Sequence, residues 1–140
     1  MQLDGPTVVN RCGVDGPAQK TICIVDDDAS MLRAQVRALC SFGLTALPFQ
    51  NPRSFLEYVE NHSVAVAVLD LWMPELTGLD VQRVLRDISP RTAVIMVTGD
   101  LEPGNRKRVA LSQGAIAFFV KPIPGPLLLE AIQKALIPAT

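Results

Sequence analysis

The stretch Val64-Ala65-Val66-Ala67-Val68-Leu69-Asp70 decides how this chain folds. Six apolar residues in a row are typical of a strand that is buried on both faces, as in a parallel sheet covered by helices. A buried strand has no packing reason to end on a carboxylate, yet Asp70 ends this one and Leu71-Trp72-Met73-Pro74 follows at once. The pattern therefore predicts a central strand over residues 64–69 with a functional carboxylate at its end.

Three more apolar runs end on residues with useful chemistry. Residues 22–25 precede Asp26-Asp27-Asp28, residues 93–97 precede Thr98, and residues 116–120 precede Lys121-Pro122. Because parallel strands all point the same way, their C-terminal ends meet at one edge of the sheet, where open α/β sheets bind their ligands. The four strand ends are therefore expected to form one site.

Apolar runs of strand length alternate with amphipathic stretches from Lys20 onward. Five strands, each followed by a helix, predict an α/β fold with a doubly wound, five-stranded parallel sheet of the flavodoxin-like type, in three layers. Asn51-Pro52 and Thr77 are predicted helix starts, and a short second strand is expected over residues 44–48. A fourth helix that carries Val109 and Leu111 is expected to run to Gly114.

A length of 140 residues predicts one domain with a core of its own. Residues 1–19 contain Gly5-Pro6, Gly13 and Gly16-Pro17 with little apolar periodicity, which predicts a flexible N-terminal arm. The domain is expected over residues 20–137, followed by a C-terminal tail over residues 138–140.

Composition and charge exclude several classes of protein. A hydrophobic content of 49% with a mean hydropathy of +0.27 indicates a compact globule rather than general disorder. A net charge of −1 argues against direct binding of nucleic acid. No apolar run is long enough to span a membrane and no signal peptide is visible, so a cytoplasmic protein is expected. Three cysteines without CxxC spacing predict neither a disulfide framework nor a zinc site, and Cys23 and Cys40 are expected to be ordinary core thiols.

The predicted acidic cluster requires a cation. Asp26, Asp27 and Asp70 would repel one another at one sheet edge, and a few hard oxygen ligands with room for water suit Mg²⁺. Lys121 and one divalent ion would neutralise the three carboxylates, so that a phosphoryl group could add its own negative charge. Asp28 is different, because an acidic residue after a strand is often a helix cap, here for a helix that begins near Ser30.

The chain resembles the receiver domain of two-component response regulators in four motifs that occur in the family's order. They are Val25-Asp26-Asp27, Leu69-Asp70-(x)₂-Met73-Pro74-(x)₃-Gly78, Val97-Thr98-Gly99 and Val120-Lys121-Pro122. The resemblance covers the chain from Lys20 to the last helix. It implies that Asp70 is the phospho-acceptor and that Asp26, Asp27, Asp70 and the backbone carbonyl of Trp72 hold Mg²⁺.

The resemblance also implies how the site would act as a switch. Thr98 and Lys121 would each bind a phosphoryl oxygen, and Phe118 would move inward when Thr98 engages the phosphate. The Lys121–Pro122 peptide bond would be cis. The chain would be a signalling switch rather than an enzyme, since it would catalyse only its own phosphotransfer and dephosphorylation.

The implied partners are a sensor histidine kinase or a histidine phosphotransfer protein, and a downstream protein partner or output domain that is not on this chain. The single histidine, His62, is expected away from the acidic edge and so is not an internal phosphodonor. Arg106-Lys107-Arg108 at the start of the fourth helix is either part of a partner surface or a solvated charged turn.

Other classes of function stay open at this point. A pseudo-receiver that acts only as a protein-interaction module is the main alternative, although it normally lacks an acidic residue or the lysine. A phosphatase with an aspartate nucleophile would need a second aspartate where Trp72 stands, and a nucleotide-binding fold would need a glycine-rich loop. Trp72 itself could slow water access to Asp70, impede the partner, or have no effect.

Overall fold

The computed structural model describes residues 20–137, so the predicted arm and tail at residues 1–19 and 138–140 lie outside the described part. Strands and helices alternate strictly along it. In chain order they are β1 Thr21–Val25, α1 Ala29–Cys40, β2 Thr45–Phe49, α2 Pro52–Asn61, β3 Val66–Asp70, α3 Gly78–Ile88, β4 Ala93–Thr98, α4 Asn105–Ser112, β5 Ala117–Val120 and α5 Gly125–Leu136.

The five strands form one parallel sheet in the order β2-β1-β3-β4-β5. This confirms the predicted doubly wound sheet. The register places Asp70 opposite Val97 and Thr98 opposite Val120, so the C-terminal ends of neighbouring strands are level. Strand order reverses between β1 and β3, and ligands of open α/β sheets bind in the crevice at such a point.

Two separate apolar clusters cover the two faces of the sheet, which confirms the three layers. One contains Phe55 of α2, Leu85 of α3 and Ala110 of α4. The other contains Val36 of α1 and Ile132 of α5. The sheet therefore lies between a layer of α2, α3 and α4 and a layer of α1 and α5.

The strand boundaries differ slightly from the prediction. The second strand is one residue later than expected and contains Pro48, which pairs with Ile24. This is tolerated because β2 lies at the edge of the sheet, where a missing N–H breaks no ladder on the open side. The third strand begins at Val66 rather than Val64 and includes Asp70.

Three predicted helix caps are confirmed. The Asp28 carboxylate accepts hydrogen bonds from the backbone N–H groups of Ser30 and Met31 at 2.9 and 3.1 Å, and thereby begins α1. Asn51 caps α2 in the same way, with proline in its first turn. Thr77 caps α3 through a reciprocal pair of hydrogen bonds with Asp80.

The fourth helix is shorter than predicted and ends at Ser112. Among its residues Ala110 is buried, whereas Leu111 is 42% exposed. Leu111, an apolar residue of the predicted helix, therefore lies largely outside the core. Gly114 ends this region in a left-handed conformation with φ of 105°.

The two cysteines of the described residues differ. Cys23 is a free, wholly buried thiol in β1, as expected. Cys40 is disulfide-bonded, so its prediction as an ordinary core thiol is wrong. Close approach of two cysteines in space, rather than their spacing in the sequence, decides whether they pair. Across residues 20–137, none of the helices combines the length and apolarity that crossing a membrane would require.

Candidate functional site

Three carboxylates meet at the C-terminal edge of the sheet, as the strand ends predicted. Asp70 ends β3 and Asp26 follows β1, and both are buried, whereas Asp27 is exposed. One carboxylate oxygen from each of the three residues lies within 4.8 Å of the others. The structure therefore brings together the candidate metal ligands that the sequence assigned to two separate strands.

Backbone hydrogen bonds fix the two buried carboxylates. The Asp26 N–H donates to the Phe49 carbonyl at 3.0 Å, and the Asp28 N–H donates to Asp26 Oδ1 at 2.9 Å. The residue after Asp70, Leu71, donates its N–H to the Val97 carbonyl at 2.7 Å. The Trp72 N–H donates to the Asp70 carboxylate. Each buried carboxylate thus accepts a backbone hydrogen bond, which limits its freedom before any ligand binds.

Gly78 allows α3 to begin directly against the end of β3. Its N–H donates to the Leu71 carbonyl at 2.8 Å. A Cβ atom at this position would lie 2.7 Å from the backbone oxygen of Asp70 and 2.7 Å from Met96 Sδ. The glycine of the predicted motif is therefore required by close packing beside the candidate phospho-acceptor.

Lys121 supplies the positive charge of the site. Its Nζ donates to Asp26 Oδ2 at 2.9 Å and lies 3.6 Å from Asp70 Oδ1. Its backbone N–H donates to the Thr98 carbonyl at 2.7 Å, and the Lys121–Pro122 bond is cis. Burial by itself lowers the pKa of the ammonium group, but the hydrogen bond to Asp26 and the charges of Asp70 and Asp26 raise it overall.

Asp70 is a carboxyl group whose charge is disfavoured. Burial and then the neighbouring Asp26 carboxylate raise its pKa to about 6, with a smaller rise from Asp27. The Lys121 charge and a hydrogen bond from the Trp72 backbone N–H act in the opposite direction. Because like charges crowd this group, a cation between the carboxylates would lower the pKa again.

The donor set fits a hard divalent ion. All three side chains offer oxygen, two are held in place, and the exposed Asp27 leaves the cluster open to water. Mg²⁺ usually binds proteins through one or two carboxylates and keeps several waters, which matches this arrangement. The Trp72 carbonyl, in the loop two residues after Asp70, stays a prediction as a further ligand.

Thr98 and Phe118 lie on neighbouring strands. Thr98 ends β4 with no exposed surface, and its Oγ1 accepts a hydrogen bond from the Asp100 N–H at 3.1 Å. Phe118 on β5 pairs with Met96 and is half-buried against the α2–α3–α4 layer. The placement is compatible with the expected relay between the two side chains, which stays a prediction.

Asp100 is a residue that the sequence analysis missed. The indole Nε1–H of Trp72 donates to Asp100 Oδ2 at 2.7 Å, and the Arg106 guanidinium carbon lies 4.5 Å from the centre of the Trp72 ring. The sequence contains an indication of this contact. Trp72 stands two residues after Asp70 and Asp100 stands two residues after Thr98, and the two strands that end there are adjacent. In the sequence, Arg106 stands out only as part of the charged run at residues 106–108.

His62 plays no part in this cluster. It follows α2, and its ring stacks on Tyr58 with a centroid separation of 3.9 Å. Its Nδ1 lies 2.9 Å from the Tyr58 carbonyl oxygen. These contacts hold the ring against its own helix, and the expectation that His62 is no phosphodonor for Asp70 stays a prediction.

The site and the fold together define a response regulator receiver domain. Residues 22–133 match the family described as the response regulator receiver domain. The chain belongs to this family. Receiver domains are signalling switches of two-component systems rather than classical enzymes, they interact with sensor kinases or phosphotransfer proteins, and they generally bind Mg²⁺ at an acidic pocket.

Individual relatives agree with this assignment. The response regulator protein TmoT of Ectopseudomonas mendocina is 36% identical over 118 residues, which are 84% of this chain and 53% of TmoT. The chain thus spans about half the length of the curated relatives it matches.

Two solved receiver domains are similar to the whole described fold. A CheY-like response regulator receiver domain protein from Methanospirillum hungatei superposes with a TM-score of 0.79 at 28% identity, over 84% of this chain and 93% of that one. The BeF3-activated DrrB receiver domain has a TM-score of 0.75 at 26% identity, over 84% and 97% of the two chains.

Proposed function

We propose that this chain is a phosphorylatable receiver domain over residues 20–137. A sensor histidine kinase or a histidine phosphotransfer protein would donate a phosphoryl group to Asp70 in the presence of Mg²⁺. The observation that carries the proposal is the ion-paired group of Lys121 with the buried Asp26 and Asp70. The exposed Asp27 lies beside it at the same edge of the sheet. A pseudo-receiver has no need of this complete set of charges.

The chemistry is phosphoryl transfer, in which positioning and charge neutralisation do most of the work. An Asp70 carboxylate oxygen would attack the phosphorus of a phosphohistidine, the phosphorus–nitrogen bond would break, and the imidazole would leave with the bonding pair and take up a proton. Asp70 would then carry an acyl phosphate. Mg²⁺, held by Asp26, Asp27, Asp70 and the Trp72 carbonyl, would supply positive charge for the phosphoryl oxygens.

Lys121 and Thr98 would each bind an oxygen of the phosphoryl group on Asp70. The Lys121 ammonium already lies 3.6 Å from Asp70 Oδ1, so it can pair with an oxygen of a phosphoryl group on that residue. The Thr98 hydroxyl would donate a hydrogen bond to another phosphoryl oxygen, and Phe118 would move inward. The altered surface would then be recognised by a downstream protein or an output domain.

Replacement of the nucleophile tests the proposal. Asp70→Asn should take up no phosphoryl group from acetyl phosphate or a phosphorylated kinase, whereas wild type should gain the mass of one phosphoryl group. The exposed Asp87 on α3 gives a matched control, and Asp87→Asn should be labelled like wild type. A chelator should stop labelling of wild type and of the control.

Two results would contradict the proposal. Label that persists in folded Asp70→Asn would show that another residue is the acceptor. A wild-type chain that binds Mg²⁺ but takes no phosphoryl group from acetyl phosphate or from any of a panel of phosphorylated kinases would favour the pseudo-receiver alternative.

A further inference from the structure

A side-chain bridge joins two loops that leave the candidate site on different strands. Trp72 lies in the loop after β3, and its indole N–H donates to Asp100 in the loop after β4 at 2.7 Å. The ring of the same tryptophan lies 4.5 Å from the guanidinium carbon of Arg106, in the first turn of α4. One side chain thus contacts both the β4–α4 loop and the helix that this loop leads into.

Helix α4, which this bridge reaches, has few buried residues in the described structure. No side chain caps its N-terminus at Gly104, and of its residues Ala110 is the buried one, all within the described part of the chain. Gln82 Nε2 of α3 donates to the Ala110 carbonyl at 2.9 Å, near the far end of the helix. The contact between Trp72 and Arg106 therefore links the first turn of α4, which has no side-chain cap, to the loop after β3.

The bridge continues to the candidate switch residue. The Asp100 N–H donates to Thr98 Oγ1 at 3.1 Å, while the Asp100 carboxylate accepts from Trp72. If Thr98 rotated about χ1 so that its Oγ1 moved toward a phosphoryl group on Asp70 and away from the loop, the Asp100 N–H would lose its acceptor. The β4–α4 loop would then be free to shift, and Asp100 would move relative to the indole.

We propose that Trp72 is a positioning residue that holds the first turn of α4 against the loop after β3 while Asp70 carries no phosphoryl group. The bridge opens when Thr98 engages the phosphoryl group, and this second step rests on the function proposed above. A contact that favours the resting arrangement lowers the affinity for any ligand that binds only the switched arrangement. Loss of the bridge should therefore strengthen binding of a phosphoryl mimic.

The holding step can be tested without phosphorylation. Because the chain has one tryptophan, its indole N–H gives one resolved NMR signal. Asp100→Ala should shift this signal, speed its exchange with solvent and move the amide signals of the first turn of α4, whereas Asp100→Asn keeps an acceptor and should restore most of the wild-type spectrum. Unchanged α4 amides in Asp100→Ala would overturn the holding role.

The arginine contact is tested in the same spectra. Arg106→Gln should change the emission of Trp72 and the amide signals of the first turn of α4. Arg108→Gln is the matched control, because it removes an exposed positive charge from the same helix and leaves the Arg106–Trp72 contact in place. Equal effects of the two substitutions would show a general charge effect and would overturn the specific role of Arg106.

The opening step is tested by titration with beryllofluoride and Mg²⁺. Trp72→Phe and Asp100→Ala should each bind about 3- to 10-fold tighter than wild type, the range expected for loss of one hydrogen bond and part of a cation–π contact. The double variant should bind no tighter than either single one, because both substitutions remove the same bond. Unchanged or weaker binding, or additive effects, would overturn the opening role.

Failure of the bridge and failure of the proposed function give different results. If wild type binds no beryllofluoride and takes no phosphoryl group, the proposed function and the opening step fail together. The resting spectra of Asp100→Ala and Arg106→Gln still decide the holding step in that case.

Discussion

Helices α3 and α4 follow adjacent strands that each end on a site residue, yet they are held in different ways. α3 begins with the Thr77–Asp80 capping box and buries residues along its length, among them Val81 and Leu85. α4 has no side-chain cap within the described chain and buries Ala110. The candidate phospho-acceptor Asp70 is followed by a tightly fixed helix, and the candidate switch residue Thr98 is followed by a loosely fixed one.

This difference between α3 and α4 would separate the proposed phosphoryl transfer at Asp70 from the conformational response to it. As the proposed phospho-acceptor, Asp70 would need a fixed position, because phosphoryl transfer depends on placement of the reacting atoms. A helix that relays a change must instead have two arrangements of similar free energy. Few buried contacts and a position set by polar side chains, as in α4, give a helix that a small change at Thr98 can shift.

The largest expected effect concerns the junction where the tightly fixed helix α3 begins against the end of β3. Gly78→Ala should lower the free energy of unfolding by about 2–3 kcal/mol, because the new Cβ would press on the Asp70 backbone oxygen. Gly99→Ala is the control in the β4–α4 loop, where a Cβ meets nothing within 4 Å. It should change stability by less than about 0.5 kcal/mol. Equal losses in urea unfolding would contradict the comparison.

The next prediction concerns the loss of stability that results from crowding charged groups around Asp70. Asp70→Asn should raise the free energy of unfolding of the metal-free chain by about 1–2 kcal/mol at pH 7.5, after allowance for screening by water and Lys121. The folded-state pKa of Asp70 is raised to about 6, above the usual value of a free carboxyl group. The charged form therefore destabilises the fold above pH 6.

The pH dependence gives the sign of this effect. Between pH 6 and pH 4 the folded wild type binds a proton at Asp70 that the unfolded chain mostly lacks, so the advantage of asparagine should shrink as the pH falls through this window. Below the unfolded pKa both states are protonated and the advantage should vanish. A difference that is constant from pH 7.5 to pH 4 would show that charge is not the cause, and Mg²⁺ should reduce it at pH 7.5.

The sheet and the candidate site could be predicted because the residues that define them lie in strands or directly at strand ends. An apolar run such as residues 64–69 is typical of a central strand buried on both faces, and the C-terminal ends of parallel strands meet at one edge of the sheet. The register bears this out, since Asp70 lies opposite Val97 and Thr98 opposite Val120. Strand ends thus place Asp26, Asp70, Thr98 and Lys121 without knowledge of the packing.

The contacts of α4 could not be predicted in this way. Leu111 has the apolar character of a core residue, but the turn of the helix brings Ala110 to the sheet instead. The pairing of Trp72 with Asp100 depends on the paths of two loops, and loops carry no periodicity that a sequence pattern could reveal. Cys40 was wrongly predicted for a related reason, since its bond depends on proximity in space.

A small effect on global stability should come from loss of the buried hydrogen bond that links α3 to α4. Gln82 of α3 is 1% exposed, and its Nε2 donates to the Ala110 carbonyl of α4 at 2.9 Å. Its Oε1 is buried with no hydrogen-bond partner among the described residues. Gln82→Met keeps the shape, removes one hydrogen bond and also removes one unsatisfied acceptor. Because these two changes oppose each other, the free energy of unfolding should change by less than about 1 kcal/mol.

The local effect of Gln82→Met should nevertheless be clear. The Ala110 carbonyl keeps its bond from the Ala115 N–H at 3.0 Å, but α4 loses its buried link to α3. Amide hydrogen exchange should therefore become several-fold faster in α4 and stay unchanged in α3, since local opening of a weakly held helix does not require global unfolding. Equal acceleration in both helices would show that they open as one unit, and the contrast between a fixed α3 and a loosely held α4 would then be wrong.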